Sequence, residues 1–291
     1  MTPAAVWMEG ARPKTWIASI SPVAMAGAMA WKTDPCSLWI FLCLLGSALF
    51  IQIGTNYAND YFDFLKGADQ DRIGPRRIMA AGLVNKNQLK IAIFFSFSIS
   101  VFFTLFLVHR GGLLIALLLV LAILLGFLYT GGPFPLAYLG LGDIFVFIFF
   151  GPAATWLSYY LLTEEYAMAP LIAGIAPGAL STAILIANNL RDRISDSHAQ
   201  KKTLVVRFGH IFGVLEYQAM LILSFMTPIF LGKIHSNFAW SAACGFLILP
   251  LFFSSFLLYK EKDPERIAPY LPKTAFFLSL YTVLFCICLF L

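Results

Sequence analysis

Nine apolar runs of near twenty residues set the terms for this chain. They lie at 15–31, 38–59, 90–108, 112–130, 141–161, 168–190, 211–231, 239–258 and 274–291. A helix rising about 1.5 Å per residue needs roughly twenty residues to cross a hydrocarbon core of about 30 Å. Inside the bilayer no water satisfies backbone groups, so such runs must be helical. Composition agrees, with 60% hydrophobic and 12% charged residues and a mean hydropathy of +0.81. Soluble domains carry about 25% charged residues. The sequence therefore predicts an all-α integral membrane protein, one domain over 1–291, with nine transmembrane helices around a central cavity.

The segments between the runs sort the charges. Arg12, Lys14, Lys66, Arg72, Arg76, Arg77, Lys86 and Lys90 fall on one side, with Arg191, Arg193, Lys201, Lys202 and Arg207, then Lys260, Lys262, Arg266 and Lys273. Lys32, Arg110 and Lys233 fall on the other. The positive-inside rule then puts the N-terminus in the cytoplasm and the C-terminus outside, in a multi-pass protein of the cell inner membrane. Arg12 and Lys14 followed by an apolar stretch ending Ala28-Met29-Ala30 also have the shape of a signal peptide. The net charge of +5 reflects this bias, and nothing resembles a nucleic-acid module. Cys36, Cys43, Cys244, Cys286 and Cys288 lack metal-ligand spacing and read as packing residues. No obligate protein partner is implied.

Two polar loops, about 60–89 and 191–210, each follow a run ending in Asn-xxx-Asp: Asn56 with Asp60, and Asn188 with Asp192. The recurrence four runs later suggests two similar four-helix halves, spans 1–4 and 5–8, plus a ninth helix. In that arrangement the motifs face one another across a shared cavity.

If the second helix continues through its motif, Gln52, Asn56, Asp60 and Asp63 form one polar stripe at spacings of four, four and three. Asn188, Asp192 and Asp196 repeat the pattern at four and four. Carboxylates facing lipid are costly, so both stripes should face a cavity. Clustered carboxylates repel one another and call for a bound cation. Mg²⁺ takes oxygen ligands, usually a few carboxylates with substrate phosphates and water. Lys66, Arg72, Arg76, Arg77, Lys201, Lys202 and Arg207 add charge-assisted donors for phosphate oxygens. Carboxylates and bases in the same two loops have the composition of a Mg²⁺–diphosphate site. The bland alternative is helix capping and ion pairing at the membrane surface.

The run Gln52-Ile-Gly-Thr-Asn-Tyr-Ala-Asn-Asp-Tyr-Phe-Asp-Phe-Leu-Lys-Gly-Ala-Asp69 resembles the first Asp-rich motif of the UbiA-type intramembrane prenyltransferases. Asn188-Asn-Leu-Arg-Asp-Arg-Ile-Ser-Asp196, followed by Lys201-Lys-Thr-Leu-Val-Val-Arg-Phe-Gly209, resembles the second. Ala11-Arg-Pro-Lys-Thr15, Tyr129-Thr-Gly-Gly-Pro-Phe-Pro135 and Leu139-Gly-Leu-Gly-Asp143 are similar to the branch acting on 1,4-dihydroxy-2-naphthoate in menaquinone biosynthesis. The likeness runs from about residue 7 to 210 and fades beyond. The third Asp of the superfamily pattern falls on Gly67, leaving Asp69 or Asp71 to supply that oxygen.

The resemblance implies Mg²⁺-dependent transfer of a polyprenyl chain from polyprenyl diphosphate to a dihydroxynaphthoate, whose carboxylate leaves as CO₂ to give demethylmenaquinone. It implies catalytic roles for Asn56, Asp60, Asp63, Asn188, Asp192 and Asp196, with Asp60, Asp63, Asp69, Asp192 and Asp196 on the metal. Lys66, Arg72, Arg76, Lys201, Lys202 and Arg207 would bind diphosphate. Arg12, Lys14, Gln52 and Tyr129 would face the acceptor. The allylic cation needs a pocket poor in water, where aromatic faces stabilise it, and Tyr57, Tyr61, Phe62, Tyr129 and Tyr138 are candidates. Asp143 reads as a helix cap, and Glu216 as a partner for Arg207 or an acid reaching the interface. His109, His198, His210 and His235 form no cluster, so no general base stands out.

Two other readings remain open. One is the same chemistry on 1,4-dihydroxy-6-naphthoate or another aromatic acceptor. The other is a transporter of an anionic lipid or metabolite, which would place ionisable groups at the bilayer midplane in broken helices.

Overall fold

The structure is a computed structural model describing residues 2–33, 35–67, 74 and 76–291. Every regular element among them is helical. The first half comprises α1 (Pro3–Ala11), α2 (Trp16–Thr33), α3 (Leu38–Leu65), α4 (Lys86–Leu128), α5 (Gly142–Phe149), α6 (Pro152–Thr163) and α7 (Met168–Ala173). It continues with α8 (Ile175–Arg191), α9 (Arg193–His198), α10 (Leu204–Phe208), α11 (His210–Ile234), α12 (Ala242–Phe246), α13 (Leu249–Ser255), α14 (Pro264–Ile267) and α15 (Tyr270–Cys288).

Among the described residues, seven helical stretches are long and apolar enough to cross a bilayer, against nine expected. Much of the difference lies in α4. Its 43 residues would extend about 64 Å, twice the hydrocarbon thickness. Gly112, at φ 65° and ψ −157°, interrupts the helix there. A Cβ added at Gly126 would lie 3.8 Å from the Phe97 ring, and positions 97 and 126 are nearly symmetric about Gly112. The chain thus folds back at a glycine whose conformation other residues rarely adopt. The remaining expected span corresponds to α2, whose Ala, Ser and Gly residues make it less apolar and let it pack inside the bundle.

The expected fifth and sixth spans are each two helices in succession. α5 meets α6 at Gly151-Pro152, and α7 meets α8 at Gly174. Their glycines face each other: a Cβ on Gly178 would sit 2.5 Å from the Phe147 carbonyl oxygen and 3.0 Å from the Gly151 Cα. Small residues allow this approach, as in other membrane bundles. α8 is the central pillar, with fourteen of its seventeen residues buried. α2 and α15 pack beside it, joined by a 2.6 Å hydrogen bond between the Ser21 and Thr282 hydroxyls. A second core cluster joins α1 and α3 to Ile78, Met79, Leu89 and Ile93, fixing the segment that follows the first motif.

Gly178→Ala should therefore force α5, α6 and α8 apart at a cost of about 1–3 kcal/mol. The expected readout is a lower melting midpoint of the detergent-solubilised protein; an unchanged midpoint contradicts the close packing.

Candidate active site between two acidic helix ends

α3 continues past residue 59 to Leu65, so Gln52, Asn56, Asp60 and Asp63 do share one buried stripe. The stripe divides by what it touches. Gln52 Nε2 donates to Thr15 Oγ1 at 3.3 Å. Asn56 Nδ2 donates to the Ala11 carbonyl at 2.9 Å and to Thr15 Oγ1 at 3.1 Å. Trp16 Nε1 also donates to the Ala11 carbonyl, at 2.7 Å. These bonds hold the α1–α2 turn, where Arg12 adopts the left-handed conformation at φ 53°. Such a conformation persists in a non-glycine residue only when its surroundings enforce it. It brings the Arg12 guanidinium within electrostatic reach of Asp60. Gln52 and Asn56, expected at the acceptor and the reacting centre, are thus engaged in orienting this turn. Lys14 is exposed on it.

Asp60 and Asp63 form the deeper half. Asp60 is 1% exposed; its Oδ2 accepts the Ile78 amide at 3.0 Å, and its Oδ1 has no hydrogen-bond partner. Asp63 accepts from Arg77 Nη2 at 3.1 Å and from the Tyr138 hydroxyl at 3.0 Å. Lys66 donates to the Thr130 carbonyl at 2.6 Å and lies 3.9 Å from the centre of the Tyr138 ring. Burial pushes its ammonium below the ordinary lysine range; Lys201 adds to that, while Asp63 opposes it. α3 then ends, and Gly67 takes φ 72°. A glycine closing a helix this way is common, and Gly67 stands where the resembled motif would place its third Asp. Asp69, Asp71 and Arg72 lie outside the described residues.

The second stripe is bent. α8 stops at Arg191 and α9 starts at Arg193, with Asp192 at the junction. The helical register survives through Asp192 N–H to Asn188 and Asp196 N–H to Asp192 bonds of 2.9 and 2.8 Å. Arg191 binds both Asp192 oxygens, at 2.6 and 2.7 Å, and Asn188 Oδ1 at 2.7 Å. Asp196 pairs with Lys201 at 3.3 Å.

The two motifs meet. Tyr138 bonds Asp63 through its hydroxyl, and its ring lies near both Lys66 and Lys201, the latter at 5.9 Å. Its carbonyl accepts the Lys202 amide at 3.1 Å. A Cβ on Gly74 would stand 2.9 Å from the Arg191 guanidinium, so Gly74 packs on the second motif. Tyr129, just beyond α4, completes the enclosure. Burial raises its phenol well above the ordinary range, helped by Asp143, Asp63 and Asp196 in that order.

Several expected roles shift. Arg207 donates to the Lys202 carbonyl at 3.0 Å and the Leu139 carbonyl at 2.8 Å, clamping the loop between α4 and α5 to the second motif. Two of its nitrogens are thereby committed to backbone. Lys202 and Arg76 are exposed. Tyr138 and Arg191 are more central than their spacing suggested. Arg191 follows Asn188 by three and precedes Asp192, a local signal for the pairing observed. Nothing in the linear order marks Tyr138 as the bridge.

Among the described residues no group of three or more His, Cys, Asp or Glu could hold a metal ion. Asp63 and Asp192 instead face guanidinium groups. The donor set nevertheless suits Mg²⁺, which uses one or two carboxylates together with water and phosphate. Asp60 Oδ1, buried and without a partner, is a hard oxygen donor in the right place.

Asn56→Ala should loosen the α1–α2 turn by about 1 kcal/mol per lost hydrogen bond. Hydrogen exchange should speed up at residues 11–16 while α8 stays protected. Unchanged exchange there contradicts the anchoring role.

The UbiA prenyltransferase family model matches residues 20–281. A Mycobacterium tuberculosis protein named 1,4-dihydroxy-2-naphthoate octaprenyltransferase is 38% identical over 75% of this chain and 74% of its own length. One of the same name from Escherichia coli is 33% identical over 98% and 95%. The structure of a UbiA homolog from Archaeoglobus fulgidus bound to GPP and Mg²⁺ aligns with a TM-score of 0.68, at 15% identity, over 98% of this chain and 100% of that one. A family model spanning most of the chain, similar full-length relatives and a shared fold agree: this membrane protein belongs to the UbiA prenyltransferase family.

Proposed function

We propose that this prenyltransferase moves a polyprenyl chain from its diphosphate to the carboxyl-bearing ring carbon of a dihydroxynaphthoate, with Mg²⁺ and loss of CO₂. The observation carrying this reading is the Tyr138 bridge, which joins Asp63 and the Asp196–Lys201 pair in one enclosure. Relatives named 1,4-dihydroxy-2-naphthoate octaprenyltransferase support the acceptor. A fold neighbour bound to GPP and Mg²⁺ supports the donor and the metal.

The chemistry balances without an external base. The bond between prenyl C1 and diphosphate oxygen breaks, and its electron pair leaves with the diphosphate. The ring carbon bonds to C1, the bond to the carboxylate breaks, and that pair restores aromaticity as CO₂ departs. Asp60, with Asp192 and Asp196, would hold Mg²⁺, which neutralises charge gathering on the diphosphate. Lys66 and Lys201 lie at the same mouth, and Arg12 is set against Asp60 to receive an anion.

An apolar groove of about 710 Å³ starts at Tyr61 and Phe62, beside Asp63, and runs between α3 and α4 along Phe97, Val101 and Phe127. It offers the prenyl tail a path away from water, which would otherwise quench the allylic cation. The basic residues flanking both motifs support an opening toward the cytoplasm. Counting α2 and both arms of α4, the chain makes nine crossings, with the C-terminus outside.

Purified protein given Mg²⁺, a polyprenyl diphosphate and 1,4-dihydroxy-2-naphthoate should release diphosphate and yield a prenylated naphthoquinol; chelation should stop it. Asp60→Ala should lower turnover about 10²-fold or more with its melting profile retained. Asp192→Ala should lower turnover as much while also lowering the melting midpoint, because it leaves Arg191 buried without its carboxylate. No diphosphate release with any dihydroxynaphthoate rejects the function, and activity surviving both changes rejects the metal assignment.

A further inference from the structure

Asp143 is left unexplained by capping. α5 begins at Gly142, its N-cap Leu141 makes no side-chain bond, and Asp143 sits in the first turn, 4% exposed. Its Oδ1 has no hydrogen-bond partner. A buried polar oxygen without a partner forfeits the hydrogen bonds water would give it, so an acid kept there needs a reason.

Its surroundings indicate one. A Cβ on the adjacent Gly142 would lie 3.1 Å from the Tyr129 hydroxyl, so α5 opens against that phenol. Tyr129 senses Asp143, Asp63 and Asp196 together. Lys201, paired with Asp196, also acts on Asp143. Asp143 therefore sits buried in the first turn of α5, beside the residue that packs on Tyr129. Glu216 on α11 comes within its electrostatic reach and presents a buried Oε2 without a partner. Two buried carboxyl oxygens, Asp143 Oδ1 and Glu216 Oε2, thus have no hydrogen-bond partner. A ligand offering hydroxyl donors would satisfy them, and a second anion would not.

We propose that Asp143 positions the aromatic acceptor by accepting a hydrogen bond from one of its ring hydroxyls, with Tyr129 beside it as a donor. This rests on the prenyl-transfer reading above. A hydroxyl donating to a carboxylate also enriches the ring in electrons, favouring attack at its carboxyl-bearing carbon. The site would then select acceptors carrying a free hydroxyl, whatever the prenyl chain.

The test is initial-rate kinetics with 1,4-dihydroxy-2-naphthoate and its mono-O-methyl ethers, for the wild type, Asp143→Leu and Asp143→Asn. In the wild type, methylating the recognised hydroxyl should lower kcat/KM about tenfold or more. Asp143→Leu should raise the acceptor KM by about the same factor, leave the polyprenyl diphosphate KM nearly unchanged and abolish the methylation penalty. Asp143→Asn keeps a neutral acceptor oxygen and should fall between; it carries the test alone if the leucine variant does not fold. A penalty unchanged in the folded variants overturns the proposal, as does a diphosphate KM rising in step with that for the acceptor. A wild type that turns over no dihydroxynaphthoate rejects the underlying function and the proposal with it. An active wild type with unaltered selectivity in the variants rejects the proposal alone.

Discussion

Carboxylates buried at the end of an apolar bundle must be met by positive charge, and the site is organised around that requirement. Isolated ionised carboxylates are too costly to bury. Here Arg77 answers Asp63, Arg191 grips Asp192 with both of its arms, and Lys201 answers Asp196. Breaking such a buried pair by removing one partner is strongly destabilising, so the arrangement holds the loops in place as well as the charges. Asp60 differs: a backbone amide bonds one oxygen, and the other has no hydrogen bond.

The scaffold follows from bringing these charges together. α3 extends beyond the expected span so that Asp60 and Asp63 emerge on one face, and it ends at Leu65, with Gly67 at a positive φ just beyond. Small residues on α8 let α5 and α6 come close, which brings Asp143 and the second motif into one enclosure. α1 folds over the first motif through Tyr57, whose hydroxyl donates to the Trp7 carbonyl at 2.9 Å. Arg12 is thereby held at the mouth.

Much of this was legible from residue order. The Asn-xxx-Asp spacings gave both stripes, and their basic surround pointed to a phosphate ligand. The wording around them led to the family. Pairwise geometry was the hidden part. No periodicity says that Asn56 turns back to the α1–α2 connection, or that Arg207 clamps carbonyls. Tyr138 lies far along the chain from Asp63 and outside both motifs, so its bridging place exists only once the helices have packed. The fold-back at Gly112 falls where the expected spans 90–108 and 112–130 part, but that a glycine conformation makes the turn is visible only in the backbone. Asp143 reads as an ordinary cap because sequence cannot report that one of its carboxyl oxygens is buried without a partner.

The central claim is that both acidic helix ends form one diphosphate site. A double-mutant cycle on Asp60→Asn and Asp192→Asn, read as Mg²⁺-dependent affinity for a non-reactive thiolo analogue of the polyprenyl diphosphate, tests it most directly. A shared site predicts strong non-additivity, with the double variant binding scarcely worse than either single one. Strictly additive losses, or analogue binding indifferent to Mg²⁺, would contradict the account.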